Sequence, residues 1–289
     1  MRILVTGGHG FIGKAAVESL ASQGHEVFAP RRSECDLLDA TSRQELLDRT
    51  RPETLVHLAW QTKHGVFWTA PDNVSWRDAT IGFLHEFLES GGRRAVLAGT
   101  CAEYDWHTGA KRLVETAPCK PATLYGRCKH ETFTACESLA AEGVSIAWGR
   151  LFLLMGPREA PTRFLPSIIR PMLQGHTAQM SDGRGLRDFM HCADAGAAFG
   201  ALATHELTGA INIASGHGVS LVDVAKIAAA RIPNGQLDIG ALPPREDEPD
   251  ALVADVTRMT QELKFIPRHT IESAVEECVE YWKAQASAK

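Results

Sequence analysis

The chain has 289 residues, 44% of them hydrophobic and 22% charged, enough to bury a full α/β core as one large domain or as a core with a small second lobe. Its net charge of −5 gives no cationic footprint for nucleic acid, and no run of like charges marks a tail. Seven cysteines (35, 101, 119, 128, 136, 192 and 278), odd in number and without a C-x-x-C pair, predict reduced thiols in a cytoplasm and neither a disulfide frame nor a zinc site.

Arg2 to Thr6 reads as a short buried strand that ends at glycines. It starts so early that no cleaved signal peptide is expected. Residues 12–23 then carry apolar positions at helical spacing (Ile12, Ala15, Ala16, Leu20) up to Gly24. His25 to Pro30 is a second strand, Leu46 to Arg51 closes a helix, and Thr54 to Ala59 is a third strand. Ile81 to Ser90 is a helix stopped by Gly91-Gly92, and Arg94 to Ala98 is the next strand. A long helix from Thr123 to Glu142 leads into strand Ser145 to Leu151. The most apolar stretch, Val144 to Met155, is short and holds Arg150, so no transmembrane helix is expected. Strands alternating with helices predict a doubly wound parallel sheet, covered on both faces, over residues 1–155.

Beyond 155 the rhythm changes. Prolines 157, 161, 166 and 171 break the pattern, and Gly183 to Arg187 and Leu242 to Asp250 read as loops. Ala193 to Ala203 and Ser220 to Ile232 read as helices, Ile211 to Ile213 as a strand, and Gln261 onward as terminal helices. Residues 156–289 are expected to form mainly a smaller α/β lobe, with elements near 188–215 returning to the core.

Gly7, Gly10 and Gly13, with Phe11 and Ile12 between them, sit between a strand and a helix, the context that a dinucleotide fingerprint requires. The helix N-terminus there offers unpaired N–H groups to phosphates. After the second strand, where an NAD site usually presents Asp or Glu, the chain gives Arg31-Arg32-Ser33. Guanidinium groups and a hydroxyl suit a 2′-phosphate, which favours NADP(H) over NAD(H). Asp36 either accepts from the adenine amino group or caps the next turn.

Tyr125 and Lys129 are four apart on one helix and share a face, and Thr100 ends a strand. An unperturbed phenol is a poor acid–base group at neutral pH. The nearby ammonium and an oxidised nicotinamide are expected to bring Tyr125 down. Thr100 would hydrogen-bond the substrate oxygen, Tyr125 would exchange a proton with it, and Lys129 would hold the nicotinamide ribose.

These segments together resemble an extended short-chain dehydrogenase/reductase of the nucleotide-sugar epimerase/dehydratase group. The resemblance rests on T-G-G-x-G-F-I-G at 6–13, Asp36-Leu37, His57-Leu58-Ala59, Thr100…Tyr104, Tyr125…Lys129, Arg187-Asp188-Phe189, Asn212-Ile213-Ala214 and the Arg245 loop. It implies a Rossmann core with a smaller C-terminal lobe and a sugar in the cleft between them. Leu37, Leu58 and Ala59 would then border the cofactor, and Trp60 would abut the cofactor or the sugar, or simply fill space. Phe164, Arg187 and Arg245 would hold the nucleotide part of the substrate, while His191 reads as structural.

The departures narrow the activity. Related sugar dehydratases carry Asp and Glu directly after the Thr, where this chain has Cys101 and Ala102. Glu103 is displaced by one residue and is either a structural ion-pair partner or a ligand of a sugar hydroxyl. Cys101, Ala102 and Glu103 are accordingly expected along the sugar site, Cys101 as a small lining residue. Dehydration, decarboxylation and carbon-acid epimerisation all lack their usual residues. An NADPH-dependent ketoreductase acting on a nucleotide-linked sugar, with 4-keto-6-deoxyhexose favoured, and an NAD-dependent C4 epimerase remain. The resemblance also implies a homodimer built on helices near 73–90 and 124–142.

Overall fold

The computed structural model describes residues 1–243 and 249–287. Its centre is a six-stranded, wholly parallel sheet in the order β2-β1-β3-β4-β5-β9. The strands are β1 (Arg2–Thr6), β2 (Glu26–Phe28), β3 (Thr54–His57), β4 (Arg94–Thr100), β5 (Ser145–Leu151) and, after three short strands numbered below, β9 (Gly209–Ile213). The inner strands are near-continuous apolar runs because helices cover both faces. On one face α1 (Gly13–Ser22) packs against α6 (Cys192–Thr204) over Ile3, Val5, Val96, Phe199 and Ile211. On the other lie α2 (Ala40–Thr50), α3 (Asp72–Glu89) and α4 (Leu124–Ala141), which bury Leu4, Leu55, Phe83, Phe87 and Trp148.

The order reverses between β1 and β3, and parallel sheets bind ligands beyond the carboxyl ends of strands at such a switch point. Gly13 is fixed by that geometry: a Cβ there would stand 2.0 Å from the Gly7 carbonyl oxygen, so only glycine lets α1 start against the turn.

The C-terminal lobe gathers β6 (Leu153–Met155), α5 (Phe164–Leu173), β7 (Ala178–Met180), β8 (Leu186–His191), β10 (Gly218–Ser220), α7 (Leu221–Ala229), β11 (Leu237–Ile239), β12 (Ala251–Leu252) and α8 (Ile271–Ser287). A π-helical turn, Arg258–Glu262, precedes α8. Strand β8 joins β6 and β12 in parallel and β10 in antiparallel, while α5, α7 and α8 pack around Ile169, Val224 and Val275.

Several sequence readings need correction here. Prolines 166 and 171 lie inside α5. Pro166 falls in the first turn, where a missing N–H costs no helical bond, and the buried Leu165, Ile168, Ile169 and Met172 secure the rest. Strand β8 begins at Leu186, inside the expected 183–187 loop, and α3 starts at Asp72 rather than near Ile81. Most of the expected 242–250 loop, with Arg245, lies outside the described residues.

Candidate active site

A cavity of about 1180 Å³ opens beyond the carboxyl ends of β1, β3, β4 and β5 and runs from the glycine turn to the C-terminal lobe. Gly7, Gly10, Phe11, Ile12 and Gly13 line one end. Helix α1 has no side-chain cap, so its first N–H groups remain for a phosphate. Arg31, Arg32, Asp36 and Leu37 continue the wall, and Leu58, Ala59 and Trp60 form the opposite side. This chain therefore fits a dinucleotide: an uncapped helix end for the pyrophosphate, and beside it two exposed guanidinium groups. Asp36 Oδ1 accepts from Leu38 N at 3.1 Å, so it caps its turn while lining the cavity. Ser33 is exposed and stands outside the lining, against the expectation.

Thr100 is the last residue of β4, and a 3₁₀ turn, Cys101–Glu103, follows it. Its Oγ1 accepts from Ala102 N at 3.2 Å, which leaves the hydroxyl proton for a partner across the cavity. Tyr125 is the second residue of α4, a helix launched by Thr123, whose hydroxyl accepts from Gly126 N at 3.1 Å. At Gly126 a Cβ would lie 2.4 Å from the Ala102 carbonyl oxygen, so glycine there lets α4 approach the 101–103 turn. That approach sets the Tyr125 phenol beside Thr100 in the cavity. One turn later Lys129, 4% exposed, donates through Nζ to Ala98 O at 2.8 Å. The same ammonium stands 3.7 Å from the centre of the Trp60 ring. All three side chains meet in the cavity.

Burial dominates their protonation. It lowers Lys129 to about 7, against the opposing pull of Glu103. Burial also pushes the Tyr125 phenol above its ordinary value, and the neighbouring Thr100 hydroxyl acts the other way. The downward shift expected from Lys129 and an oxidised nicotinamide together is not produced by the protein's own groups. His57, wedged between Thr6 and Thr80 hydroxyls at 2.8 and 3.1 Å, is lowered to about 3 by burial and stays neutral.

The residues after Thr100 divide. Cys101 lines the cavity, with burial pushing its thiol up to about 12. Ala102 lies outside the lining, packed on Phe67 and Tyr125. Glu103 is fully buried and also outside it, which corrects both residues' expected place at the sugar. Its carboxylate accepts from Thr100 N at 2.8 Å and Trp148 Nε1 at 2.9 Å, and pairs with Arg150 Nε at 2.9 Å. Every one of these bonds is internal, so Glu103 is the structural ion-pair partner.

At the lobe end Phe164 and Arg187 line the cavity. Arg187 is 3% exposed and donates through Nη1 to Leu186 O and Pro249 O, both at 2.8 Å. Asp188 instead receives Ser215 N, Gly216 N and Ala254 N. The sequence reading missed Glu159 and Arg163, paired at 3.1 Å on this wall, with burial raising Glu159 to about 7. It also missed the aromatic wall of Phe67, Trp68, Trp76 and Trp106. The run of tryptophans at 60, 68 and 76 was the available signal.

His191 stands outside the lining, stacked on His269 at 3.9 Å and beside Glu277. Its Nδ1 accepts from Ala193 N, so the neutral ring carries its proton on Nε2, where a metal would need a lone pair. Nε2 lies 3.3 Å from a Glu277 oxygen but out of line for a hydrogen bond.

An uncapped glycine turn and the side chains of Thr100, Tyr125 and Lys129 thus share one cleft. The chain belongs to the NAD dependent epimerase/dehydratase family, whose model matches residues 3–214. It is 27% identical to a UDP-glucose 4-epimerase of Corynebacterium glutamicum, over 93% of this chain and 92% of that one. It is 28% identical to a dTDP-6-deoxy-L-talose 4-dehydrogenase (NAD(P)(+)) of Kitasatospora kifunensis, over 99% and 96%. A solved UDP-glucose 4-epimerase from Thermotoga maritima, with UDP-glucose, superposes with a TM-score of 0.88 at 23% identity, over 99% of this chain and 100% of that one. Among the described residues no helix is long and apolar enough to cross a membrane.

Proposed function

We propose that the protein is a ketoreductase that uses NADPH to reduce a nucleotide-linked keto sugar, a 4-keto-6-deoxyhexose by preference. The observation that carries this is the meeting of Thr100, Tyr125 and Lys129 in one cavity with no acid–base pair at 101 and 102. A bound dinucleotide supplies the hydride. Thr100, its oxygen already engaged by Ala102 N, donates its proton to the substrate carbonyl oxygen and polarises it. Tyr125 delivers a proton to the oxygen as negative charge develops there, a contribution of roughly 10²–10⁴-fold. Lys129 is anchored on Ala98 O and the Trp60 ring and would hold the nicotinamide ribose through its remaining N–H groups. Arg31 and Arg32 favour the 2′-phosphate of NADP(H). Arg187 and Arg245 take the substrate diphosphate, and Phe164 its nucleoside.

A C4 epimerase with a retained NAD is the second reading, favoured by the epimerase names among the relatives. Denaturing the purified protein and identifying the released dinucleotide separates the two. Stoichiometric NAD supports the epimerase; an empty site that binds NADPH more tightly than NADH supports the reductase.

We assign the enzyme to the cytoplasm, consistent with seven free cysteines. We also propose a homodimer through α3 and α4, which light scattering at micromolar concentration tests; a clean monomer overturns it.

A further inference from the structure

Four of the chain's six tryptophans, Trp60, Trp68, Trp76 and Trp106, line the one cavity. With Phe67 they surround the catalytic phenol. The rings of Phe67, Trp68 and Trp60 lie 4.9, 5.8 and 6.3 Å from that of Tyr125, each near perpendicular to it. Trp106 meets Trp68 edge-on at 6.4 Å. Core packing is the ordinary reason for such a cluster, but these side chains border open space, and two of their polar tips are turned away from it. Trp60 Nε1 donates to Asn73 Oδ1 at 2.9 Å, and Trp106 Nε1 donates to Cys101 O at 2.8 Å. Those two indoles therefore offer the cavity carbon and π-electrons rather than donors.

The wall is also held in place. Asn73, 1% exposed, donates to Phe67 O and Ala70 O at 2.7 and 2.9 Å. Tyr125 N donates to Trp68 O at 3.1 Å, which fastens the segment over the first turn of α4. Cys101 adds a neutral thiol beside Thr100. Of the polar groups at this wall, Thr100 and Tyr125 serve the carbonyl oxygen and Lys129, over the Trp60 ring, serves the cofactor. A ring hydroxyl pressed against the faces of Phe67, Trp60 and Trp106 would lose its water and meet no donor or acceptor on those faces, which weakens binding by about 10- to 100-fold for each group.

From this we infer that the sugar ring presented to Tyr125 is hydroxyl-poor, lacking a hydroxyl on its ring as well as at its terminal methyl, so that C–H groups meet the aromatic wall. The inference rests on the nucleotide-sugar reading and sharpens it. The reaction is unchanged: hydride adds to the ketone carbon and the Tyr125 proton goes to its oxygen.

The test compares kcat/KM for two nucleotide-linked 4-keto sugars, one 6-deoxy with both hydroxyls at C2 and C3 and one lacking one of them. The wild-type protein is expected to prefer the deoxygenated compound by about 10-fold or more. Phe67→Gln, which sets an amide on the wall, is expected to narrow that ratio; should this variant not fold, the wild-type ratio decides alone. Equal values, or a preference for the hydroxylated sugar, overturn the inference and leave the nucleotide-sugar reading standing. Turnover of neither compound, with NADPH binding intact, overturns that reading and the inference with it.

Discussion

Glu103→Gln is the perturbation that most sharply separates a structural carboxylate from a substrate ligand. The wild-type side chain is completely buried against an Arg150 that is 1% exposed, with Nε to oxygen at 2.9 Å. Gln keeps the size and one acceptor but strands the guanidinium, which retains the Glu115 carbonyl at 2.8 Å and the rings of Tyr104 and Phe133, each 4.7 Å away. Removing one partner of a buried pair costs about 3–5 kcal/mol. The same change withdraws the negative charge that supports the Lys129 ammonium, so that lysine, at about 7 in the wild type, falls further. Urea unfolding at pH 7.5 should show the stability loss, and the pH profile of kcat/KM should move to lower pH on the limb that reports Lys129. A loss below about 1 kcal/mol together with a raised KM and an unmoved profile would refute the structural assignment. It would put Glu103 back on the substrate.

Two further outcomes follow from the cofactor and lobe ends. Arg31→Ala and Arg32→Ala should each weaken NADPH binding by about 1.5–3 kcal/mol while leaving NADH nearly unchanged, measured by fluorescence titration. Equal effects on both dinucleotides would remove the basis for NADP(H). Glu159 is raised by burial from 4.5 to about 7, so between those values the folded state holds a proton that the unfolded state has lost. Its contribution to stability is therefore intact below about 4.5 and is lost as pH rises through 7, on the order of 3 kcal/mol in all. Glu159→Gln should gain stability relative to wild type from pH 5 to pH 8 in thermal or urea unfolding; a constant difference would show that Glu159 does not titrate there.

What the sequence made legible was local. The glycine turn and the Tyr125–Lys129 spacing are set within one or two helical turns, and each lands where its spacing places it. Glu103 could not be assigned from its neighbours, because its partners arrive from β5. The register that sets Leu97 beside Trp148 and Gly99 beside Arg150 brings both side chains to it. Helix α5 was hidden by its prolines, whose cost depends on position in the helix and is outweighed by apolar burial that only the lobe supplies. The aromatic wall joins a segment after β3 to Trp106 after β4, a meeting that no single window of sequence contains. Ser33 failed for a simpler reason: it lies exposed in the turn at 32–34, outside the lining that Cys35 to Leu37 rejoin.

The central claim is that Thr100, Tyr125 and Lys129 carry out hydride transfer to a sugar ketone. The most direct measurement follows label from NADPH deuterated at the transferred position into a nucleotide-linked 4-keto-6-deoxyhexose, for the wild type and for Tyr125→Phe. The account predicts one deuterium at the former ketone carbon per NADPH consumed, and a loss of roughly 10²–10⁴-fold in rate for the variant with dinucleotide binding retained. Label that stays on the dinucleotide, or a variant as fast as the wild type, would contradict it.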